Sequence, residues 1–147
     1  MKCPFCRSSQ TEIYNTRATK FATQIWRRRR CLNCHEGFTT YEAADLGFLQ
    51  VRAQVGSQRP YSRARLYSAL AAAFEPAKST STAIDAVTDT VESKLLDLKA
   101  RIISPEQISA IILTTLKHFD TSAFLRYLAS HADLRSKSEL KRQLKNY

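Results

Sequence analysis

The sequence is poor in the features that mark fibrous, low-complexity and membrane-spanning chains. Its 147 residues include only three glycines and four prolines, which excludes collagen-like and Pro/Gly-rich disordered classes. No apolar run approaches the roughly 20 residues that a helix needs to cross a bilayer. The start, Met1-Lys2-Cys3-Pro4, has no apolar stretch behind its charge. We therefore expect no secretory signal, no membrane association and a cytoplasmic location.

Acidic residues are also scarce. The chain has 13 Asp and Glu against 23 Lys and Arg, a formal net charge of +10. Residues 1–41 hold eight Lys/Arg and two Asp/Glu, and so supply +6 of it. A field of this sign favours polyanions, of which nucleic acid is the commonest. A solvated surface or an acidic protein partner is the alternative.

The first 45 residues lack the apolar side chains that a core of useful size needs. Their strand-like stretches, rich in Thr, Ile and aromatic residues, are 11–17, 22–28 and 38–41. Something other than apolar burial must stabilise this part. In a reducing compartment the four cysteines are better candidates for metal ligands than for disulfides.

Two Cys-x-x-Cys pairs provide the predicted metal site. Cys3 and Cys6 form the first pair, Cys31 and Cys34 the second, and 24 residues separate the pairs. Two such pairs complete a zinc tetrahedron with Zn–S distances of about 2.3 Å, and binding contributes on the order of 10 kcal/mol to folding. Because protein fills all four positions, the predicted zinc ion is structural.

Three other interpretations of these cysteines remain open at the level of sequence. One pair could be a thioredoxin-like redox site, although no βαβ pattern surrounds it. Residues 31–35 also spell the covalent haem attachment motif, which normally requires export. Finally, His35 could replace one thiolate as a metal ligand. The symmetric spacing favours the four cysteines.

An arginine-rich stretch leads directly into the second cysteine pair. Arginine forks suit phosphate oxygens and can read guanine edges. Alternate residues of a strand face opposite ways, so we expect about two of the four consecutive arginines to reach a DNA groove. The predicted DNA-binding residues are Arg17, Arg27, Arg28, Arg29 and Arg30.

The pattern changes near residue 45, which predicts a second domain over 46–135 after a ribbon over 1–45, with a basic tail over 136–147. Residues 48–55 alternate like a strand, and Gly56-Ser57 is a plausible turn into 58–61, which predicts a hairpin. Four amphipathic helices follow. Their expected inner faces are Leu66, Leu70, Ala73 and Phe74; Ile84, Val87, Val91, Leu95 and Leu98; Ile108, Ile111, Ile112 and Leu116; and Phe124, Leu125 and Leu128.

Helix starts are signalled by capping residues. Ser62 can cap the first helix, and Asp120 or Thr121 the fourth. The third start is the clearest, because Ser104 precedes Pro105 and Gln107 follows three residues after the cap. The fold class that these patterns predict is α+β, a small β zinc ribbon followed by a mostly helical domain with a short β hairpin.

These residues together resemble the NrdR family, bacterial transcriptional repressors of ribonucleotide reductase genes. The resemblance covers nearly the whole chain and is most specific in residues 1–42. It rests on Met1-Lys2-Cys3-Pro4-Phe5-Cys6, on Cys31-Leu32-x-Cys34, and on Phe38-Thr39-Thr40-Tyr41-Glu42. Further matches are Asn15-Thr16-Arg17, Gly56, Pro60-Tyr61 and Phe124-Leu125-Arg126-Tyr127.

The resemblance implies a zinc ribbon joined to an ATP-cone. It also implies homo-oligomers that bind double-stranded operator DNA under control of ATP or dATP, and we expect the apolar helix faces of residues 84–128 to drive self-association. The implied nucleotide-binding residues are Val51, Arg52, Gln54, Arg59, Arg65 and Arg126.

The chain departs from the family pattern at several functional positions. Trp26 stands at the family's first arginine and Arg30 at a normally acidic position. The family's phosphate-binding Lys-Arg pair falls on Ala53-Gln54, and a nearby glutamate falls on Arg59. We therefore expect weak nucleotide binding unless Arg52, Arg59 or Arg65 substitutes for the missing cations.

No catalytic site is visible in the sequence. His118 and His131 lack a nucleophile or carboxylate at a spacing that would support catalysis, so we do not expect an enzyme. The alternatives to a DNA-binding repressor are a nucleotide-sensing or scaffold protein that docks on an acidic protein, and a zinc-ribbon RNA-binding module.

Overall fold

The computed structural model describes residues 1–18, 24–52, 56–75 and 81–131, together with Lys141 and Lys145. Two compact units divide the chain, Met1–Asp45 and Leu46–Tyr147. Strands form the first unit, and helices with a small sheet form the second. The predicted α+β class is confirmed.

A three-stranded antiparallel sheet makes up most of the first unit. Its strands are β1 (Thr11–Ala18), β2 (Gln24–Cys31) and β3 (Gly37–Ala43), in the order β1-β2-β3. The predicted strands recur with longer ends, since β2 continues pairing with β1 up to Cys31. Residues 22 and 23, where we expected the second strand to begin, lie outside the described residues. The pairing register shifts between Ile13 and Asn15, which marks a β-bulge at Tyr14.

This sheet has almost no apolar core of its own. The buried cluster of the first unit consists of Cys3, Cys31 and Phe38, with Cys6 and Cys34 packed against it. A cluster of this size cannot offset the conformational entropy of the about 40 residues of this unit that the structure describes. The cysteines must therefore supply the missing free energy through a bound metal.

The second unit contains the predicted hairpin. Strand β4 (Gln50–Arg52) pairs antiparallel with β5 (Gln58–Pro60), and Gly56 between them has a φ of +74°, which a glycine adopts without strain. The expected strand start at Phe48 is wrong. Residues Leu46–Phe48 form a 3₁₀ turn, in which the Leu49 N–H donates to the Leu46 carbonyl at 2.9 Å. Residues 53–55 lie outside the described residues.

A third strand, which the sequence did not indicate, completes this sheet. β6 (Ile102–Ile103) pairs parallel with β4, giving the order β5-β4-β6. The strand has only two residues, too few to show any alternation of apolar and polar side chains.

Four helices pack against one another and bury the core of the second unit. They are α1 (Arg63–Ala73), α2 (Ser81–Asp97), α3 (Pro105–Phe119) and α4 (Thr121–His131). The predicted inner faces are mostly buried. Ile108 and Ile111 are partly buried, and two residues are exposed. Leu98 is 41% exposed because α2 ends at Asp97, and Leu125 is 49% exposed because the buried stripe of α4 is Ala123, Phe124, Tyr127 and Leu128.

The helix caps were predicted with mixed success. The capping box of α3 is confirmed, since the Gln107 N–H donates to Ser104 Oγ at 3.2 Å and the Ser104 N–H donates to Gln107 Oε1 at 2.8 Å. Asp120 caps α4, because its Oδ1 accepts from the Ala123 N–H at 2.9 Å. Ser62 stands at the N-cap of α1, but its side chain makes no capping hydrogen bond.

None of the helices in the described part of the chain combines the length and apolar character that crossing a bilayer requires. Of the predicted basic tail over 136–147, only Lys141 and Lys145 are described, and both are exposed.

Candidate functional site

The four cysteine sulfurs converge on one point of the first unit. Their Sγ atoms all lie within 4.8 Å of one another. Cys3 Sγ is 3.7 Å from Cys34 Sγ, and Cys6 Sγ is 3.5 Å from Cys31 Sγ. Four thiolates at about 2.3 Å from a tetrahedral zinc ion stand about 3.8 Å from one another. The donor set and the spacing fit zinc, and His35 does not belong to the cluster.

Each cysteine pair sits on the same kind of backbone turn. The Arg7 N–H donates to the Cys3 carbonyl at 3.0 Å, and the His35 N–H donates to the Cys31 carbonyl at 3.0 Å. Arg7 and His35 directly follow the second cysteine of each pair, and both adopt a left-handed conformation, with φ of 63° and 61°. The two turns therefore have the same backbone conformation, and each presents its two thiols in the same way.

The thiols are held so close that they cannot all ionise without a cation between them. The backbone N–H of Ser8, followed by the Asn33 side chain, lowers the pKa of Cys6 to about 6. The backbone N–H of Glu36 acts to lower the pKa of Cys34, but burial and the neighbouring thiols together raise it to about 12. Repulsion between two thiolate charges at this distance makes the pKa values of the two cysteines differ. A divalent metal removes that conflict, which is the chemistry of a structural site closed by four protein ligands.

The arginines of β2 alternate between the two faces of the sheet. Arg27 and Arg29 share one face with Phe38, which packs on the cysteine cluster, and we call this the zinc face. Both arginines have partners there. Arg27 forms an ion pair with Glu42 at 2.8 Å, and Arg29 Nε donates to Thr40 Oγ1 at 3.2 Å. Their guanidiniums are thus partly committed to the ribbon itself.

The opposite face, which we call the groove face, carries Arg28 and Arg30. Arg28 is fixed by two hydrogen bonds, from Nε to the Tyr14 hydroxyl at 3.1 Å and from a terminal nitrogen to Thr39 Oγ1 at 2.9 Å. The bulge in β1 brings Tyr14 beside Arg28. Arg30 is exposed. Both arginines line a polar groove of about 490 Å³, whose other lining residues are Glu12, Tyr14, His35 and Gly37.

The groove face continues along the sheet with aromatic and basic side chains. The register places Arg17 opposite Trp26, and Trp26 opposite Tyr41, so these three share the face of Arg28. Trp26 is half-buried, whereas Tyr14 and Tyr41 are 58% and 64% exposed. An open, cationic surface edged by aromatic rings can contact a nucleic-acid backbone and its bases.

In the second unit, a pocket of about 170 Å³ opens between the hairpin, α1 and α3. Its floor is apolar and buried, and it includes Val51, Leu66 and Ile112. Arg59 from β5 and Arg65 from the first turn of α1 are exposed residues of its lining. The remaining lining residues are Pro60, Tyr61, Ser62, Ala69, Pro105, Ile108, Ser109 and Tyr127.

The structure brings together three of the six residues implied for nucleotide binding. Val51, Arg59 and Arg65 line this pocket, and Arg52 does not. Gln54 lies outside the described residues. Arg126 also lies apart from the lining. Its guanidinium donates to the Ala73 carbonyl at 3.3 Å and contacts Glu75 at 3.4 Å, which ties α4 to the end of α1.

The sequence did not predict a set of polar contacts between the pocket-lining segment and α2. The Tyr61 hydroxyl donates to Glu92 Oε1 at 3.0 Å, and Arg63 contacts both Glu92 and Asp89, the latter at 2.7 Å. Burial, together with the Glu92 charge and hydrogen bond, raises the pKa of Tyr61 well above its usual range. These contacts fix the segment that carries the pocket cations onto α2. Asp85, Asp89 and Glu92 recur along one side of that helix, and this spacing was the available signal.

Comparison with known proteins covers both units. A family model described as "Transcriptional repressor NrdR-like, N-terminal domain" matches residues 1–42, and one described as "ATP cone domain" matches residues 49–137. Among curated proteins, the "Transcriptional repressor NrdR" of Cupriavidus metallidurans is 31% identical over 147 residues, which cover 100% of this chain and 95% of that protein.

Two further relatives carry the same name. The protein of Polynucleobacter necessarius subsp. necessarius is 32% identical over 148 residues, covering 99% of this chain and all of the relative. That of Bordetella petrii is 34% identical over 127 residues, 86% of this chain and 80% of the relative. These relatives are named as transcriptional repressors, which are regulators and not enzymes.

Proposed function

Because the chain belongs to the NrdR family of transcriptional repressors, we propose that it binds operator DNA of ribonucleotide reductase genes through its zinc ribbon. The observation that carries this proposal is the central strand β2, which presents arginines on both faces of a metal-braced sheet. A DNA-binding protein of this kind acts in the cytoplasm and needs no catalytic residues.

The groove face is the better candidate for the DNA-contacting surface. Arg28 is held in place by Tyr14 and Thr39 before any ligand arrives, so binding costs less side-chain entropy there. Arg30 and Arg17 add charge on the same face. Arg27 and Arg29 on the zinc face already bond Glu42 and Thr40, and we assign them a smaller share of the phosphate contacts.

The proposal is tested by fluorescence anisotropy with labelled duplexes. One duplex carries a ribonucleotide reductase promoter of the host genome, and a second has the same composition in shuffled order. We expect tighter binding to the promoter and an affinity that falls steeply with salt. Equal affinity for both duplexes would contradict a sequence-specific repressor. Stronger binding to single-stranded RNA or to an acidic polypeptide would favour the corresponding alternative.

We also propose that the second unit binds ATP or dATP in the pocket between the hairpin, α1 and α3. The apolar floor suits a base, and Arg59 and Arg65 suit phosphate oxygens through charge-assisted hydrogen bonds. These arginines compensate for the neutral Ala53-Gln54 pair. Calorimetric titration with ATP and dATP is the direct test, and absence of heat with both would contradict nucleotide binding.

Nucleotide control requires that ATP or dATP bind two assemblies with different affinity. We propose a homo-oligomer whose size depends on the bound nucleotide. The apolar helix faces expected to drive self-association are largely buried within the unit itself, as Val87, Val91 and Leu116 show. The exposed Phe119 and Leu125 are better placed for contacts between copies. Sedimentation velocity with and without each nucleotide tests this, and an unchanged distribution would contradict it.

A further inference from the structure

The pocket of the second unit has no carboxylate in its lining, as far as the described residues show. Its charged lining side chains are two guanidiniums, those of Arg59 and Arg65. Its polar neutral ones are Tyr61, Ser62, Ser109 and Tyr127. The local charge is therefore positive, and it is placed where the pocket meets solvent, because both arginines are exposed.

Two carboxylates are close to the pocket, one through a contact with a lining residue and one through its place in the sequence. Both interact with groups other than a ligand in the pocket. Glu92 accepts from Tyr61 and Arg63 on the α2 side of the wall. Glu106 follows Pro105, but its side chain hydrogen-bonds Ser104, and this contact, helped by the charge of Arg52, lowers the pKa of Glu106. Neither carboxylate is part of the lining.

Proteins usually hold Mg²⁺ through one or two carboxylates together with the phosphates of the substrate. A pocket that offers two arginines and no carboxylate neutralises phosphate charge without the metal. On the basis of the nucleotide site proposed above, we infer that this pocket recognises its nucleoside polyphosphate as the magnesium-free anion. Magnesium then competes with Arg59 and Arg65 for the phosphate oxygens.

The experiment is calorimetric titration of the full zinc-loaded chain with the sodium salt of ATP, in buffer without magnesium and in buffer with excess MgCl₂ at the same ionic strength. Magnesium is left out rather than chelated, because a chelator would also withdraw zinc. We expect the dissociation constant to be lower without magnesium by roughly three- to tenfold, since the free anion carries about two more negative charges toward exposed cations. Arg59→Ala and Arg65→Ala should each weaken binding and shrink the magnesium effect.

Arg101→Ala is the matched control, since Arg101 is an exposed arginine of the same unit outside the pocket lining. It should leave both dissociation constants unchanged. Arg59→Lys and Arg65→Lys keep the charge and should retain most of the magnesium effect. Binding that requires magnesium, or a magnesium effect that survives loss of both arginines, would overturn the inference and leave nucleotide binding intact. Absence of binding in both buffers would overturn the nucleotide site itself.

Discussion

The Sγ atoms of Cys3 and Cys34 lie 3.7 Å apart, although the two cysteines are 31 positions apart in sequence. Cys6 and Cys31 meet at 3.5 Å in the same cluster, so each contact joins one pair to the other. A zinc ion at this point therefore fastens the first turn to the end of β2. That attachment fixes the position of β2, the strand that carries the four consecutive arginines.

Replacing Cys31 by Ser should release the zinc ion and unfold the ribbon. The remaining buried cluster of that unit is too small to fold it, whereas the second unit has its own core. We expect elemental analysis to fall from one zinc per chain to none, while the helical circular dichroism signal stays. Leu32→Ser, at a half-exposed position in the same turn, is the control and should keep its ion. A folded, reduced wild-type chain without metal would contradict the structural zinc site.

Because of the Tyr61–Glu92 contact, we expect the free energy of unfolding to fall at alkaline pH. The pKa of Tyr61 is raised in the folded state, whereas an unfolded tyrosine titrates near pH 10. The folded chain therefore keeps a proton that the unfolded chain loses. The resulting stabilisation is fully present below about pH 10 and is lost as the pH rises above that value.

Urea unfolding, followed by helical circular dichroism from neutral pH to above pH 10, measures this dependence. Tyr61→Phe should be less stable at neutral pH by about 1 kcal/mol, because a buried hydrogen bond is lost. Its stability should also decline less between pH 9 and pH 11 than that of the wild type. Tyr67→Phe removes a different hydroxyl, one that α1 carries, and should keep the wild-type decline. Parallel curves for Tyr61→Phe and wild type would show that Tyr61 does not titrate as described.

Ser104→Ala should destabilise the second unit by about 1 kcal/mol, because the Ser104 Oγ that accepts from the Gln107 N–H in the α3 capping box is lost. The free energy of unfolding from urea titration checks this. Ser68→Ala changes the same residue type at an exposed position inside α1, where alanine is the better helix former. That variant should be neutral or slightly more stable. A Ser104→Ala variant as stable as wild type would mean that α3 does not depend on its cap.

The ribbon was largely predictable because its chemistry is local. Cysteine spacing gives the metal site, and strict alternation along β2 separates Arg27 and Arg29 from Arg28 and Arg30. The support of Arg28 by Tyr14 was not predictable, since it depends on a bulge that only the pairing with β1 reveals.

The second unit was harder to predict because its site joins distant segments. Helical periodicity located the core, and the signature around Ser104 located α3. However, β6 is too short to leave a pattern, and Leu125 fits an apolar stripe as well as its neighbour Phe124 does. The meeting of Arg59 and Arg65 at one pocket follows from the packing of β5, α1 and α3. Only the resemblance to a family, and not the residue pattern, pointed to those two positions.

The most direct test of DNA recognition by the groove face is the salt dependence of promoter binding, measured by anisotropy for four single arginine variants. Each lost phosphate contact should reduce the slope of log affinity against log salt by about one unit. We predict this reduction, with clearly weaker binding, for Arg28→Ala and Arg30→Ala. Arg27→Ala and Arg29→Ala should change the slope less, because Glu42 and Thr40 already engage those side chains. Unchanged affinity and slope for Arg28→Ala and Arg30→Ala would contradict DNA binding through this face.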